Sequence, residues 1–111
     1  MDPKGKTILI ADDEPDIREI IQYNLVKEGY EVVTARDGDE ALTKVRATNP
    51  DLVVLDIMMP KKNGVEVCEI LRAQPAFKDT LIIFLTALND ESSHIRGLES
   101  GADDYVSKPI S

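Results

Sequence analysis

Cysteine is nearly absent from this chain. Cys68 is the one cysteine in 111 residues, so no internal disulfide framework exists. Histidine is equally scarce. His94 stands alone, and one histidine makes no metal site. Basic residues are outnumbered, 13 against 21 acidic, for a net charge of −8. Direct nucleic-acid binding needs Lys and Arg to neutralise phosphates, so this balance disfavours it. It disfavours an anionic membrane surface too. No apolar run approaches the ~20 residues that span a bilayer. Met1 to Lys6 carries no apolar signal core. These absences lead to the expectation of a cytoplasmic domain without membrane attachment. There is no internal repeat, low-complexity tract or linker, and the length suits one domain.

What is present is an alternation of short apolar runs and helical patterns. Strands are expected at about 6–11, 31–35, 51–55, 81–85 and 103–107. Between them, Ile17, Ile20, Ile21 and Leu25 recur at helical spacing, as do Ala41, Leu42 and Val45, and then Val67, Cys68 and Leu71. Pro15 suits the first turn of helix one and Gly29 its end. Asp37-Gly38 turns into helix two and Asn49-Pro50 stops it, while Gly64 opens helix three and Pro75 ends it. Helix four is expected over about 90–99, capped near Asn89 or Asp90 and stopped at Gly101. Alternating strands and helices with short loops predict an α/β fold. Its sheet is parallel, with right-handed crossovers and a helical layer on each face. Such a sheet normally ends with a fifth helix, and none follows the last strand here. The expectation is therefore a domain over 1–111 truncated before its C-terminal helix, or one covered there by something else.

Three strands end in polar groups. Ile8-Leu9-Ile10-Ala11 stops at Asp12-Asp13-Glu14, Leu52-Val53-Val54-Leu55 at Asp56, and Leu81-Ile82-Ile83-Phe84-Leu85 at Thr86. Open α/β sheets bind ligands at the carboxyl ends of their strands. Adjacent carboxylates repel, so a loop that gathers Asp12, Asp13 and Glu14 with Asp56 needs a cation. Hard oxygen ligands suit Mg²⁺, which keeps waters and bridges to phosphate. The bland alternative is a solvated acidic loop that favours the dipole of helix one. Lys108 follows the last strand, where an ammonium would balance carboxylates and a bound phosphoryl group. The bland readings elsewhere are an exposed His94, a core Cys68 and a solvated pair, Lys61 and Lys62.

The order of these motifs carries a resemblance. Ile8 to Glu14, Asp56-Ile57-Met58-Met59-Pro60 with Gly64, Thr86-Ala87, and Gly101 to Pro109 succeed one another over nearly the whole chain. In this the chain resembles a response-regulator receiver domain of two-component signalling. The Gly101 to Lys108 stretch is most similar to receivers that carry a winged-helix DNA-binding domain. The resemblance implies a flavodoxin-like strand order, 2-1-3-4-5. It implies that Asp56 accepts a phosphoryl group from a sensor histidine kinase. Asp13 would be the direct Mg²⁺ ligand, Asp12 a ligand mainly through water, and Met58 a ligand through its backbone carbonyl. Thr86 and Lys108 would contact the phosphoryl group, and Tyr105 would turn inward with Thr86 as a switch.

Further implications concern output. The expected role is a phosphoacceptor that assists its own phosphorylation and slow dephosphorylation, and is not a turnover enzyme. A homodimer through helix four and strand five is implied, with Arg96, Asp103 and Asp104 among its charged positions; the absent fifth helix would supply their basic partners. Apolar Met58 and Leu88 beside the site are expected to hinder attacking water. A Met58→Asn, Leu88→Glu double variant that dephosphorylates no faster would overturn that idea. Three rival readings fit these residues less well. A phosphohydrolase similar to haloacid dehalogenases needs a second Asp where Met58 stands. A flavodoxin-like electron carrier needs an FMN phosphate loop where Asp12-Asp13-Glu14 would repel it. A receiver-like interaction module that is never phosphorylated would not need Asp12, Asp13, Asp56, Thr86 and Lys108 together.

Overall fold

The computed structural model describes residues 2–86 and 99–107. Five parallel strands form one sheet: β1 (Thr7–Ala11), β2 (Glu31–Ala35), β3 (Leu52–Asp56), β4 (Leu81–Thr86) and β5 (Asp104–Ser107). Their order is β2-β1-β3-β4-β5, the order implied by the resemblance. The central strands are buried on both sides, which is why they read as unbroken apolar runs. Alternate side chains separate two cores. Leu9, Ala11, Val53, Leu55, Ile82 and Phe84 face α2 (Gly38–Thr48) and α3 (Gly64–Arg72). Ile8, Ile10, Val54 and Leu85 face α1 (Pro15–Lys27).

Local chemistry sets the helix ends. Pro15 occupies the first turn of α1, and Gly29 follows its end with a φ of +103°, open to glycine at little cost. Asp37 caps α2 by accepting from the Glu40 amide at 2.8 Å, and Asn49 closes it in the left-handed region. Asn63 and Glu66 form a reciprocal capping box at the start of α3. The end of α3 agrees with expectation: the helix stops at Arg72, shortly before Pro75, which opens a 3₁₀ turn over Pro75–Phe77. The proline restricts the backbone of the residue before it, so the chain leaves the helix upstream.

Strand boundaries shift by one residue. Asp56 and Thr86 are the last residues of β3 and β4, not the residues after them. Ladder bonds therefore fix their backbones. Asp56 pairs in register with Leu85, and Thr86 with Ser107. Helix four, expected over 90–99, falls almost wholly outside the described residues. On the α1 side an apolar groove of about 270 Å³ runs between Leu25, Leu52, Val54, Ile83, Leu85 and Val106. Val106 is exposed along it.

Candidate functional site

The β1 and β3 ends meet because those strands are neighbours. Among the described residues, Asp12, Asp13 and Asp56 each bring a carboxylate oxygen within 4.8 Å of the others. Asp12 and Asp56 are buried, and Asp13 is exposed at the mouth. The backbone of Asp12 extends the β1–β2 ladder, its amide donating to Ala35 at 3.0 Å. Its side chain then turns the chain, accepting from the Glu14 amide at 2.9 Å. Arg18, one turn into α1, donates to the Asp12 carbonyl at 2.7 Å. The N-cap of α1 is Glu14, without a side-chain cap, and Asp16 supplies the acid in the first turn. Capping therefore does not account for the gathering of Asp12, Asp13 and Asp56.

The donor set fits a hard cation. Three carboxylates in one small space supply only oxygen, and two of them are shielded from water. Mg²⁺ takes one or two carboxylates and keeps waters, which Asp13 at the open mouth permits. Carboxylates of Asp12, Asp13 and Asp56 could hold it, joined by a backbone carbonyl from the loop after β3.

That loop, 57–63, is held at several points. Ile57 and Met59 are buried to either side of Met58, which is 70% exposed. The Met58 amide donates to Asp56 Oδ1 at 3.3 Å. The Gly64 amide donates to the Ile57 carbonyl at 2.9 Å, and the Gly38 amide to the Pro60 carbonyl at 3.4 Å. Lys61 takes a left-handed φ of +69°, and its ammonium lies 3.9 Å from Asp37. Lys62 pairs with Asp39 at 2.7 Å. That hydrogen bond holds the Asp39 carboxyl below its ordinary pKa and the Lys62 ammonium above its own. Both lysines are well exposed, as the solvated reading expects, with their ammonium groups beside Asp37 and Asp39 near the start of α2.

The remaining predicted residues divide. Thr86 is 1% exposed at the end of β4, adjacent to β3. Tyr105 pairs in register with Phe84 and is 37% exposed. In adjacent parallel strands, alternation puts Phe84, Thr86 and Tyr105 on one sheet face. Lys108, Leu88, His94 and Arg96 lie outside the described residues. Asp103 has partners within the chain. Its carboxylate accepts from Arg72 at 2.9 Å and from the Ile82 amide at 2.8 Å. Cys68 is buried in α3, as expected, and burial pushes its thiol pKa up.

Two glycines were missed as site residues. A Cβ on Gly64 would lie 2.4 Å from the Asp56 carbonyl oxygen, and one on Gly38 would lie 2.0 Å from that of Lys62. The sequence marked both as turns, but a turn signal does not reveal which distant backbone comes close.

Comparison with known proteins bears on the family and the fold. The family described as "Response regulator receiver domain" matches residues 8–111. The chain is 51% identical over 107 residues to the alkaline phosphatase synthesis transcriptional regulatory protein PhoP of Bacillus subtilis, covering 96% of this chain and 44% of that protein. It is 46% identical over 110 residues to the DNA-binding response regulator MtrA of Mycolicibacterium smegmatis, covering 99% and 47%. It thus spans less than half the length of these relatives. Among solved structures, the chemotaxis protein CheY4 of Vibrio cholerae superposes with a TM-score of 0.89 at 34% identity, covering 96% of this chain and 88% of that one. A Francisella response regulator receiver domain superposes at 0.86 with 38% identity, covering 96% and 87%.

Proposed function

Because the chain belongs to the response-regulator receiver family, we propose that Asp56 accepts a phosphoryl group from a sensor histidine kinase in an Mg²⁺-dependent reaction. The observation that carries this is the convergence of Asp12, Asp13 and Asp56 at the carboxyl end of the sheet, with Asp56 anchored in a buried strand. An aspartate carboxylate is ordinarily ionised at neutral pH and needs no base to become a nucleophile. Its oxygen forms a bond to phosphorus as the phosphorus–nitrogen bond of the phosphohistidine breaks. The histidine nitrogen keeps that electron pair. Mg²⁺ held by Asp12, Asp13, Asp56 and the Met58 carbonyl would offset the repulsion between carboxylate and phosphoryl oxygens. Asp56 is fixed by its pairing with β4, so attack needs little reorganisation. Thr86 at the adjacent strand end offers a hydroxyl to a phosphoryl oxygen. Lys108, following β5, offers an ammonium.

This reading makes the domain a signalling switch and not a turnover enzyme. Phosphorylation draws Thr86 toward Asp56, and Tyr105 on the same face follows into the space released. That changes the surface of β5 and the segment before it. Residues 1–111 act as the receiver unit of a regulator whose output, of the winged-helix type, lies elsewhere in the protein. Supporting this are the DNA-binding relative and the share of its length that is matched. A homodimer through helix four and β5 belongs to the same proposal, with Arg96, Asp103 and Asp104 as its charged positions; Asp103 also pairs with Arg72 within the chain. No helix among the described residues is long and apolar enough to cross a membrane, which supports a cytoplasmic site of action. Rival phosphohydrolase chemistry lacks its acid, since Met58 has no proton to transfer.

Intact-mass measurement with a small acyl phosphate tests the proposal. The expected result is a single phosphoryl adduct that requires Mg²⁺ and is lost in Asp56→Asn. An adduct that persists in Asp56→Asn would overturn it.

A further inference from the structure

The loop after β3 carries the carbonyl proposed to hold Mg²⁺, and the groups that place it come from the first residues of α2 and α3. The Met58 carbonyl lies between two others with fixed donors: Ile57, bonded by the Gly64 amide at 2.9 Å, and Pro60, bonded by the Gly38 amide at 3.4 Å. Gly38 is buried where α2 meets the loop. A Cβ there would lie 2.0 Å from the Lys62 carbonyl oxygen and 2.7 Å from its carbonyl carbon. Both are backbone atoms, so no side-chain rotation relieves the clash. Gly38 is therefore needed for space and not for an unusual φ. The Asp39–Lys62 pair spans the same junction at 2.7 Å, but both side chains are well exposed, and exposed pairs hold little.

We propose that Gly38 is a positioning residue for the metal site: its bare backbone lets α2 seat the 57–63 loop and so sets where the Met58 carbonyl points. This rests on the Mg²⁺ reading above. Mg²⁺ demands near-ideal octahedral geometry. A displacement of Lys62 large enough to admit a methyl group would pass along a loop whose anchors are Ile57, Met59 and Pro60. Groups that orient metal ligands from outside typically change affinity by roughly 10–100-fold.

The test is an Mg²⁺ titration of the full chain by calorimetry, with melting of the metal-free protein measured in parallel. Gly38→Ala should weaken Mg²⁺ binding at least roughly tenfold while the metal-free protein remains folded. Asp39→Asn, which breaks the exposed pair and leaves Gly38 in place, should bind like the wild type. A purely structural role would lower the metal-free melting temperature and leave the affinity alone; a folded Gly38→Ala with unchanged affinity overturns the inference. Wild type that fails to bind Mg²⁺ overturns the metal reading and this inference together. Should Gly38→Ala not fold, wild-type amide resonances decide. Shifts of Gly38 and Lys62 in step with Met58 during the titration, with Val45 still, support the inference. A motionless Gly38 beside a moving Met58 overturns it.

Discussion

Arg72 and Asp103 form an ion pair at 2.9 Å where the chain enters β4 and β5. The same guanidinium donates to the carbonyls of Gly101 at 2.8 Å, Phe77 at 2.9 Å and Thr80 at 2.7 Å. One side chain thus joins the end of α3, the 3₁₀ turn, the approach to β4 and the approach to β5. Asp103 in turn accepts from the Ile82 amide and donates its own amide to the Ile82 carbonyl, which begins the β4–β5 ladder.

Arg72→Ala should therefore cost more than an exposed ion pair would. It leaves several carbonyls without their donor and takes the charged partner from the Asp103 carboxylate, and a loss of about 2–4 kcal/mol is expected. Asp103→Asn keeps much of the geometry and should cost about 1 kcal/mol. Urea unfolding with an unchanged m-value checks both. Equal costs for the two variants would show that the carbonyl contacts contribute nothing.

The gathered carboxylates make a second prediction. Without metal, like charges a few ångströms apart repel by about 1 kcal/mol in water and more when shielded. Asp13→Asn removes one charge from the cluster, so its metal-free form should melt higher than metal-free wild type. Wild type should gain stability on adding Mg²⁺, by about 2.7 kcal/mol at a hundredfold excess over Kd. Asp13→Asn should gain far less. Thermal melting with EDTA and with Mg²⁺ reads all of this. A wild type indifferent to Mg²⁺ would count against the site.

How much of this was legible beforehand depends on the range of the interactions. β1 and β3 were visible because burial on both faces demands continuous apolar residues, and Asp12 and Asp56 stood out as acids ending such runs. Helix starts were visible because Pro15, Asp37 and Gly64 act on their own neighbours. The end of α3 was visible because Pro75 disfavours helix just before it. The roles of Gly38, Lys62, Arg72 and Asp103 were not legible at all. Each depends on a residue at least 23 positions away, as Lys62 does on Asp39 and Arg72 on Asp103. Pattern within a short window carries no trace of such meetings. The strand order came from the family resemblance, since periodicity names elements without arranging them.

Cys68 gives a prediction with a definite sign. Burial in α3 raises its thiol pKa, so the folded state holds its proton at pH values where the unfolded thiol has ionised. This contribution to stability is complete below the ordinary thiol pKa. It declines as pH rises from there toward the folded value. Cys68→Ala should therefore flatten the alkaline side of the stability profile. A thiol reagent at mildly alkaline pH should modify Cys68 only at the rate of unfolding. Rapid modification of native protein would contradict its burial.

Thr86 and Tyr105 bear the last prediction. Thr86 is buried on the strand beside Asp56, whereas Tyr105, on the same sheet face, keeps more than a third of its surface in water. If Thr86 carries the signal, its hydroxyl is the only part required at the phosphoryl group, and its movement is what frees space for the ring. Thr86→Ala should still accept a phosphoryl group on Asp56, since the nucleophile and the acidic cluster are untouched. It should lose the accompanying change at Tyr105. Ring resonances of Tyr105, followed before and after addition of an acyl phosphate with Mg²⁺, distinguish the outcomes. In wild type the ring signals should shift as phosphorylation proceeds. In Thr86→Ala the mass should rise by one phosphoryl group while those signals stay in place. A shift equal to that of wild type would mean that Tyr105 responds to phosphorylation by a route that bypasses Thr86.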